Sequence, residues 1–148
     1  MKPDISSVLT DITTRLATEI APNVQPAYLA GSVGLCAGLL AVINEEFERA
    51  AHRRVEENVA IRGLFAQAAG LDLPADLAER LAALAGGRDT DLHVSALETA
   101  NAALRAALIE LQAAVETRDE PGAQALNIAI WAELTASTER RKLAGGNF

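Results

Sequence analysis

Aromatic residues are scarce in this chain of 148 residues, which has three Phe, one Tyr and one Trp. A hydrophobic core must therefore be built mainly from aliphatic side chains, which bury less surface per residue than aromatic rings do. The single cysteine, Cys36, excludes an internal disulfide and is typical of a protein from a reducing compartment. No segment alternates apolar and polar residues with a period of two, so no β-strands are expected.

Basic residues are also few, with 13 Lys and Arg against 20 Asp and Glu, a formal net charge of -7. Binding to a nucleic-acid backbone needs clustered basic side chains, so a nucleic-acid partner is not expected. The first residues lead into an amphipathic pattern rather than into the apolar stretch of a signal peptide. The sequence therefore predicts an acidic, soluble, cytoplasmic protein of bacterial type.

The composition and length predict one globular domain. Half of the residues are apolar and 22% are charged, which is a globular rather than a disordered composition. The length fits a single domain, predicted over residues 1–143 and followed by a flexible tail at 144–148.

Apolar residues recur at spacings of three and four along most of the chain, which predicts α-helices. The expected helices cover 5–20, 27–68, 75–85, 91–118 and 122–143. No proline interrupts 27–68, so this segment is either one very long helix or two helices joined near Asn44 or Gly63. The fold class predicted is all-α, an antiparallel bundle of four main helices plus one short helix.

Between Glu19 and Glu45 the chain carries no charged residue. A membrane-spanning helix needs about 20 apolar residues, and Pro22 and Pro26 shorten the apolar run here. We therefore expect this segment to form a helix that is buried in the bundle, and we do not expect it to span a membrane.

Small residues line one face of this uncharged helix, and its other face is bulky. The small face holds Ala27, Gly31, Gly34, Gly38 and Ala41, and the bulky face holds Leu40, Ile43 and Phe47. Each glycine inside a helix costs about 1 kcal/mol relative to Ala, so something is expected to lie close against this backbone. The alternatives are a helix of this chain or of a second copy, a small ligand, or a helix contact in a membrane.

Acidic residues and a histidine continue the small-residue face at helical spacing. Glu45, Glu48 and His52 could hold a divalent metal, although the favoured explanation is the solvated face of an amphipathic helix with ion pairs four residues apart. The paired Glu-x-x-His motifs of di-iron bundles are missing, and no cofactor is predicted.

Arg54 and Asn58 fall on the side of the long helix that is expected to face the core. A buried guanidinium must be paired, because an uncompensated charge in the interior costs several kcal/mol. The partners considered are Glu98, Asn101, Asn127 and Glu133. The two residues then form an internal polar network that fixes the helix register, or Arg54 extends to place its charge at the surface. The other alternative is a cleft between helices that binds an anionic small molecule.

The segment Gly31-Ser32-Val33, with Gly34 and Gly38 after it, resembles the start of a long helix in the helical cyclodeaminases that act on folates. Tyr28-Leu29-Ala30 stands where that family has a glycine run, so the anion-binding turn that the resemblance implies is not matched. The similarity covers only the beginning of one helix and does not identify the family.

No motif for nucleophilic catalysis, phosphate binding or dinucleotide binding is found, so the sequence does not favour an enzyme. The leading hypothesis is a self-associating helical bundle, a homodimer acting as an interaction or scaffold module through the small-residue face or the last helix near Trp131. The alternative is a bundle that binds a small molecule or metal, possibly catalytic, in the groove around Gly31, Gly34 and Gly38.

Overall fold

The computed structural model describes residues 4–143, and within them every regular element is helical. The α-helices are α1 (Ile5–Arg15), α2 (Ala27–Gln67), α3 (Ala75–Ala85), α4 (Val94–Val115) and α5 (Pro121–Arg141). This confirms the all-α fold class and the five helices expected, while the antiparallel arrangement of the four main helices stays a prediction.

The first helix begins as predicted and changes its hydrogen-bond pattern before its predicted end. Asp4 caps it by accepting a hydrogen bond from the Ser7 backbone N–H at 3.3 Å. After Arg15 the chain continues as a π-helical turn, Leu16–Ile20, and a 3-10 turn, Ala21–Asn23. Pro22 offers no N–H to continue an α-helix, so the predicted helix 5–20 ends in these two turns.

The helix α2 is one uninterrupted helix of 41 residues, which settles the alternatives left open for residues 27–68. It contains no proline, so no backbone hydrogen bond is lost along it. The glycines within α2 lower its stability but do not interrupt it, because a single glycine costs only about 1 kcal/mol in a helix.

The chain divides into two compact units. Unit 1 comprises residues 1–50 and 142–148, unit 2 comprises residues 51–141, and α2 contributes to both. The single domain predicted over 1–143 stays a prediction, and the flexible tail predicted at 144–148 lies outside the described residues.

In unit 1, α1 packs beside the first half of α2 as a helical hairpin. The Ser6 hydroxyl donates to Asn44 Oδ1 at 2.8 Å, and Asn44 Nδ2 donates to the Thr10 hydroxyl at 3.2 Å. Because Ser6 and Thr10 precede Asn44 by 38 and 34 residues, these bonds bring the start of α1 next to the middle of α2. The two helices of the hairpin therefore run antiparallel.

Unit 2 contains a contiguous aliphatic core. Its fully buried members come from every helix of the unit and include Ile61, Phe65, Leu81, Leu104, Leu111, Val115 and Ile130. The apolar spacing predicts a stripe on α4 that consists of His93, Leu97, Ala100, Leu104, Leu108, Leu111 and Val115. Its leucines and Val115 are buried, and Ala100 is half-buried. The helical spacing of three and four thus identified the buried face of α4 correctly.

The start of α4 differs from the prediction. The helix begins at Val94 rather than near residue 91, and Asp91 accepts the His93 backbone N–H at 2.9 Å just ahead of it. His93, expected on the apolar stripe, has a side chain that is 86% exposed. It precedes the first turn of the helix, so the helical spacing does not apply to it.

A pair of isoleucines on α5 tests the position of this core. Ile130 is completely buried and Ile128 is 70% exposed. Ile130→Ala should lower the free energy of unfolding by about 3 kcal/mol, because it leaves a cavity in a packed core. Ile128→Ala should change it by less than about 0.5 kcal/mol. Urea unfolding followed by circular dichroism measures both changes in the free energy of unfolding. Equal changes for the two variants would show that α5 does not direct Ile130 into the core and Ile128 to the solvent.

Candidate functional site

The outer surface of the unit 1 hairpin is unusually apolar, and we call it the hairpin surface. Large apolar side chains on it are between 39% and 73% exposed. They are Ile5, Val8, Ile12, Ile20, Tyr28, Leu29, Leu35, Leu39, Ile43 and Phe47. By contrast, the buried apolar residues among the described part of unit 1 are two alanines, Ala37 and Ala50. The hairpin therefore exposes most of its large apolar side chains instead of packing them into a core.

The predicted small-residue face lies on the outside of this hairpin. A Cβ atom added at Gly31, Gly34 or Gly38 would meet no other atom within 4 Å. In the described part of the chain, no helix of the protein itself lies against these glycines. Of the alternatives for what covers this face, a helix from the same chain is thus not seen within residues 4–143.

The bulky face predicted on α2 is divided in the structure. Leu40 is half-buried, whereas Ile43 and Phe47 are 54% and 52% exposed. The exposed Ile43 and the open glycines therefore belong to the same uncharged stretch of one helix, and Phe47 follows that stretch after Glu45 and Glu46.

The three residues predicted to hold a metal, Glu45, Glu48 and His52, are not brought together in the structure. Arg49 donates to the carboxylate of Glu45 and to the backbone carbonyl of Lys142. The His52 side chain is 77% exposed and lies 3.5 Å from the Glu56 carboxylate, and Glu48 is exposed. Among residues 4–143, no three His, Cys, Asp or Glu side chains are grouped so that they could hold a metal ion. The metal hypothesis stays a prediction without geometric support.

In unit 2, Arg54 contacts one of the partners considered for its guanidinium, and Asn58 contacts another of them. Arg54 forms an ion pair with Glu98 on α4. The fully buried Asn58 accepts a hydrogen bond from Asn101 at 3.0 Å and donates to Asp89 Oδ2 at 3.1 Å. The pairing of Arg54 with Glu98 agrees with the prediction, whereas Asn101 bonds to Asn58 rather than to Arg54 and Asp89 was not among the candidates. These contacts place both residues in a polar layer between α2 and α4.

The other two candidate partners, Glu133 and Asn127, contact neither Arg54 nor Asn58 through a hydrogen bond or ion pair seen among residues 4–143. Glu133 pairs with Arg140 on its own helix. Asn127 Oδ1 is buried and has no hydrogen-bond partner among residues 4–143.

The network extends from Asn58 to a buried ion pair that sequence reasoning missed. Arg62 donates two hydrogen bonds to the carboxylate of Asp89, at 2.7 and 3.0 Å. The bonds from Arg62 outweigh the effect of burial, and with a further bond from Asn58 they hold the pKa of Asp89 below its ordinary value. The signal available was spacing, since Arg62 follows Asn58 by four residues and so lies next to it on the helix.

A second feature that sequence reasoning missed is the most buried carboxylate described. Glu57 is 2% exposed and joins three helices of unit 2. Arg105 on α4 donates to it, and Arg141 on α5 donates to both of its oxygens, at 2.8 and 3.1 Å. Glu57 lies three residues after Arg54 and four before Ile61, and this spacing places it on the core side of α2.

The pKa values of Glu57 and Glu133 are shifted in opposite directions from the ordinary value of a glutamate. Burial of Glu57 disfavours its charge, but the hydrogen bonds and charges of Arg141 and Arg105 outweigh burial and lower its pKa. For Glu133 burial dominates, and its pKa is raised even though Arg140 is bound to it. Glu57 is therefore held ionised by its arginines, and this is the arrangement of a structural ion pair.

The helix α2 contains a segment that is long and apolar enough to cross a membrane, judged by length and composition alone, and only 6% of that segment is buried.

No known protein family, curated protein or solved structure matches this chain. Functional inference therefore depends on the geometry described above.

Removing the charge of Glu57 tests its structural role. Glu57→Gln should lower the free energy of unfolding at pH 7 by about 2 kcal/mol, because a buried ion pair loses one partner. The loss is moderate because Arg105 and Arg141 are 38% and 49% exposed and can regain water. Glu56→Gln, at a half-exposed neighbour, is the matched control and should change stability by less than about 0.5 kcal/mol.

The pH dependence of stability gives an independent test of Glu57. Its pKa is lower in the folded protein than the ordinary value of 4.5, so its contribution is complete above that value and is lost as the pH falls below it. Denaturant unfolding between pH 6 and pH 3 should show a smaller loss of stability for Glu57→Gln than for the wild-type chain. Parallel pH curves would contradict the assignment.

Proposed function

We propose that this protein self-associates as a homodimer through the hairpin surface and acts as an interaction or scaffold module in the cytoplasm. The observation that carries the proposal is the exposure of large apolar side chains along both helices of a hairpin whose described part buries only two alanines. Fully burying one such side chain contributes roughly 1.5 to 3 kcal/mol. Soluble monomers rarely expose a contiguous apolar patch larger than a few hundred Å².

Charge favours a second copy of the chain as the occupant of this surface. The protein carries a net charge of -7, so two copies repel each other through most of their charged surfaces. Between Glu19 and Glu45 there is no charge at all. Two copies can therefore approach along this stretch without placing like charges in contact.

The open glycines favour a helix as the group that docks there. A helix lacking side chains at Gly31, Gly34 and Gly38 lets another helix approach its backbone closely, which increases the packing contacts between them. In a two-fold dimer each copy presents the same patch, so one small-residue face can meet the other. The exposed Leu35 lies four residues after Gly31, on the same side of the helix, and would be covered by this association.

A lipid bilayer is a less suitable environment for this surface. The hairpin places Thr10 against Asn44, and the exposed ion pair of Asp11 and Arg15 follows Thr10 within two turns. Inserting the apolar half of α2 into a membrane would carry this pair of α1 toward the hydrocarbon. Charged side chains there cost several kcal/mol, whereas in a protein dimer they remain at the wet rim.

The substitution Gly34→Leu separates association from folding. Within the chain the added side chain meets open space, and Leu is a better helix former than Gly, so the monomer should be at least as stable. In a dimer packed on the glycine face the leucine would collide with the second copy. We expect the dissociation constant of the dimer to rise at least tenfold, measured by light scattering after size exclusion over a range of protein concentrations.

The matched control is Gly63→Leu, the same change at an equally open glycine of α2 within unit 2. It should leave the dissociation constant unchanged. A wild-type chain that stays monomeric up to high concentration, or a dimer insensitive to Gly34→Leu, contradicts the proposal. Co-sedimentation of a monomeric chain with neutral phospholipid vesicles would indicate a membrane as the occupant instead.

A further inference from the structure

The hairpin surface of unit 1 has two sides that differ in character. Gly34 and Gly38 lie on one side of α2, and large apolar side chains lie on the other. Leu29 and Phe47 each stand nine residues from Gly38, and Ile43 stands nine residues after Gly34. Nine residues are about two and a half helical turns, so these three side chains project from the side of α2 opposite the glycines. They are between 39% and 54% exposed.

A stripe of apolar side chains on α1 lies on the same side of the hairpin. It follows the helical spacing of three and four, is 42% to 53% exposed, and includes Val8 between Ile5 and Ile12. Val8 directly precedes the half-buried Leu9, and Ile43 directly precedes Asn44, which bonds to α1. Each is therefore turned by about 100°, in the same sense, from the side that faces the other helix. Because α1 and α2 run antiparallel, equal turns direct both stripes to one side.

The hydrogen bonds of Asn44 set the register of the two stripes. Ser6 and Thr10 both bond to Asn44, so the turn of α1 between them, which contains Val8, is level with Ile43 and Asn44. The two stripes therefore border one apolar groove between α1 and α2. We call it the hairpin groove, and its residues are Ile5, Val8, Ile12, Leu29, Ile43 and Phe47.

A third helix fits the hairpin groove. An amphipathic helix must bury its apolar stripe against another element, and two helices alone enclose little core. The described part of unit 1 accordingly buries only two alanines. A helix laid along the groove would contact both stripes at once, which is the geometry by which amphipathic helices are recognised in grooves.

The charges beside the groove are mainly acidic. Asp4 and Asp11 each directly precede an isoleucine of the groove, and Glu19 and Arg15 follow along the same helix and its continuation. These four exposed side chains carry three negative charges and one positive charge. A second copy would place the same acidic charges against them, which opposes its docking in the groove. Charge complementarity instead favours a partner with basic side chains beside its apolar stripe.

From these observations we infer that the hairpin groove binds a cationic amphipathic α-helix of another protein. The apolar stripe of that helix packs between the stripes of α1 and α2, and its flanking Lys or Arg side chains lie next to Asp4, Asp11 and Glu19. The inference rests on the proposed role as an interaction module, and it assigns the two sides of the hairpin surface to different partners. The side with the glycines remains for the second copy.

The probe is a synthetic peptide of leucine and lysine, about 18 residues long, whose leucines recur at spacings of three and four. A fluorescent label on the peptide reports binding to the full chain by anisotropy. One control peptide has the same composition in shuffled order, so that its leucines fall all round the helix. A second control keeps the amphipathic order and replaces lysine by glutamate. We expect the amphipathic cationic peptide to bind at least tenfold more tightly than either control.

Variants place the peptide on the groove. Ile12→Gln and Ile43→Gln should each weaken its binding about fivefold or more, because each removes an apolar contact. Leu35→Gln, at a leucine that is 59% exposed on the side of the glycines, is the matched control and should leave peptide binding unchanged. Gly34→Leu should also leave peptide binding unchanged, although it should weaken the dimer. Far-ultraviolet circular dichroism shows that each variant is folded.

Equal binding of the amphipathic and shuffled peptides would overturn the inference, since charge alone would then explain it. Unchanged binding by folded Ile12→Gln and Ile43→Gln would do the same. If these variants weaken dimerisation instead, a second copy occupies the groove, and if they abolish co-sedimentation of the wild-type chain with neutral vesicles, a membrane does. A monomeric chain that binds the peptide supports the inference while the proposed dimer fails, and a dimer that does not bind it overturns the inference alone.

Discussion

The buried carboxylate of Glu57 is the interaction on which the arrangement of unit 2 most depends. It is held on α2, and its oxygens accept hydrogen bonds from Arg105 on α4 and Arg141 on α5. A charge with 2% exposure is tolerated only when it is paired and hydrogen-bonded. Any sliding or rotation of one of these helices would leave the charge uncompensated, so Glu57 selects one register for all three.

The polar layer that includes Asn58 and Arg62 complements a core with little directional character. That core is almost wholly aliphatic, with Phe65 as its aromatic member among the described residues. Leucine and alanine can pack in several registers at similar energy. Hydrogen bonds such as those from Asn101 to Asn58 and from Arg62 to Asp89 have defined partners and distances, so they distinguish the native register from its neighbours.

The helix α2 contributes in two different ways along its length. Its second half buries Ile61, Leu64 and Phe65 in the aliphatic core, while its first half carries the open glycines and exposed Leu35 and Leu39. An open apolar surface and a packed core are thus built from one continuous helix. The small apolar residues that make the first half suitable for close helix contacts also leave it with little surface to bury by itself.

The sequence by itself determined the helices and much of the buried face, because helical periodicity is a local property of neighbouring residues. It identified the leucines and Val115 of the stripe on α4 and Glu98 as a partner of Arg54. It wrongly predicted that the helix carrying the glycines is buried, because the packing of other helices against it is not a local property. Only the tertiary structure decided that Glu57 joins Arg105 and Arg141, since those residues lie 48 and 84 positions away. Pairings over such distances depend on how helices pack against each other, which no local spacing encodes.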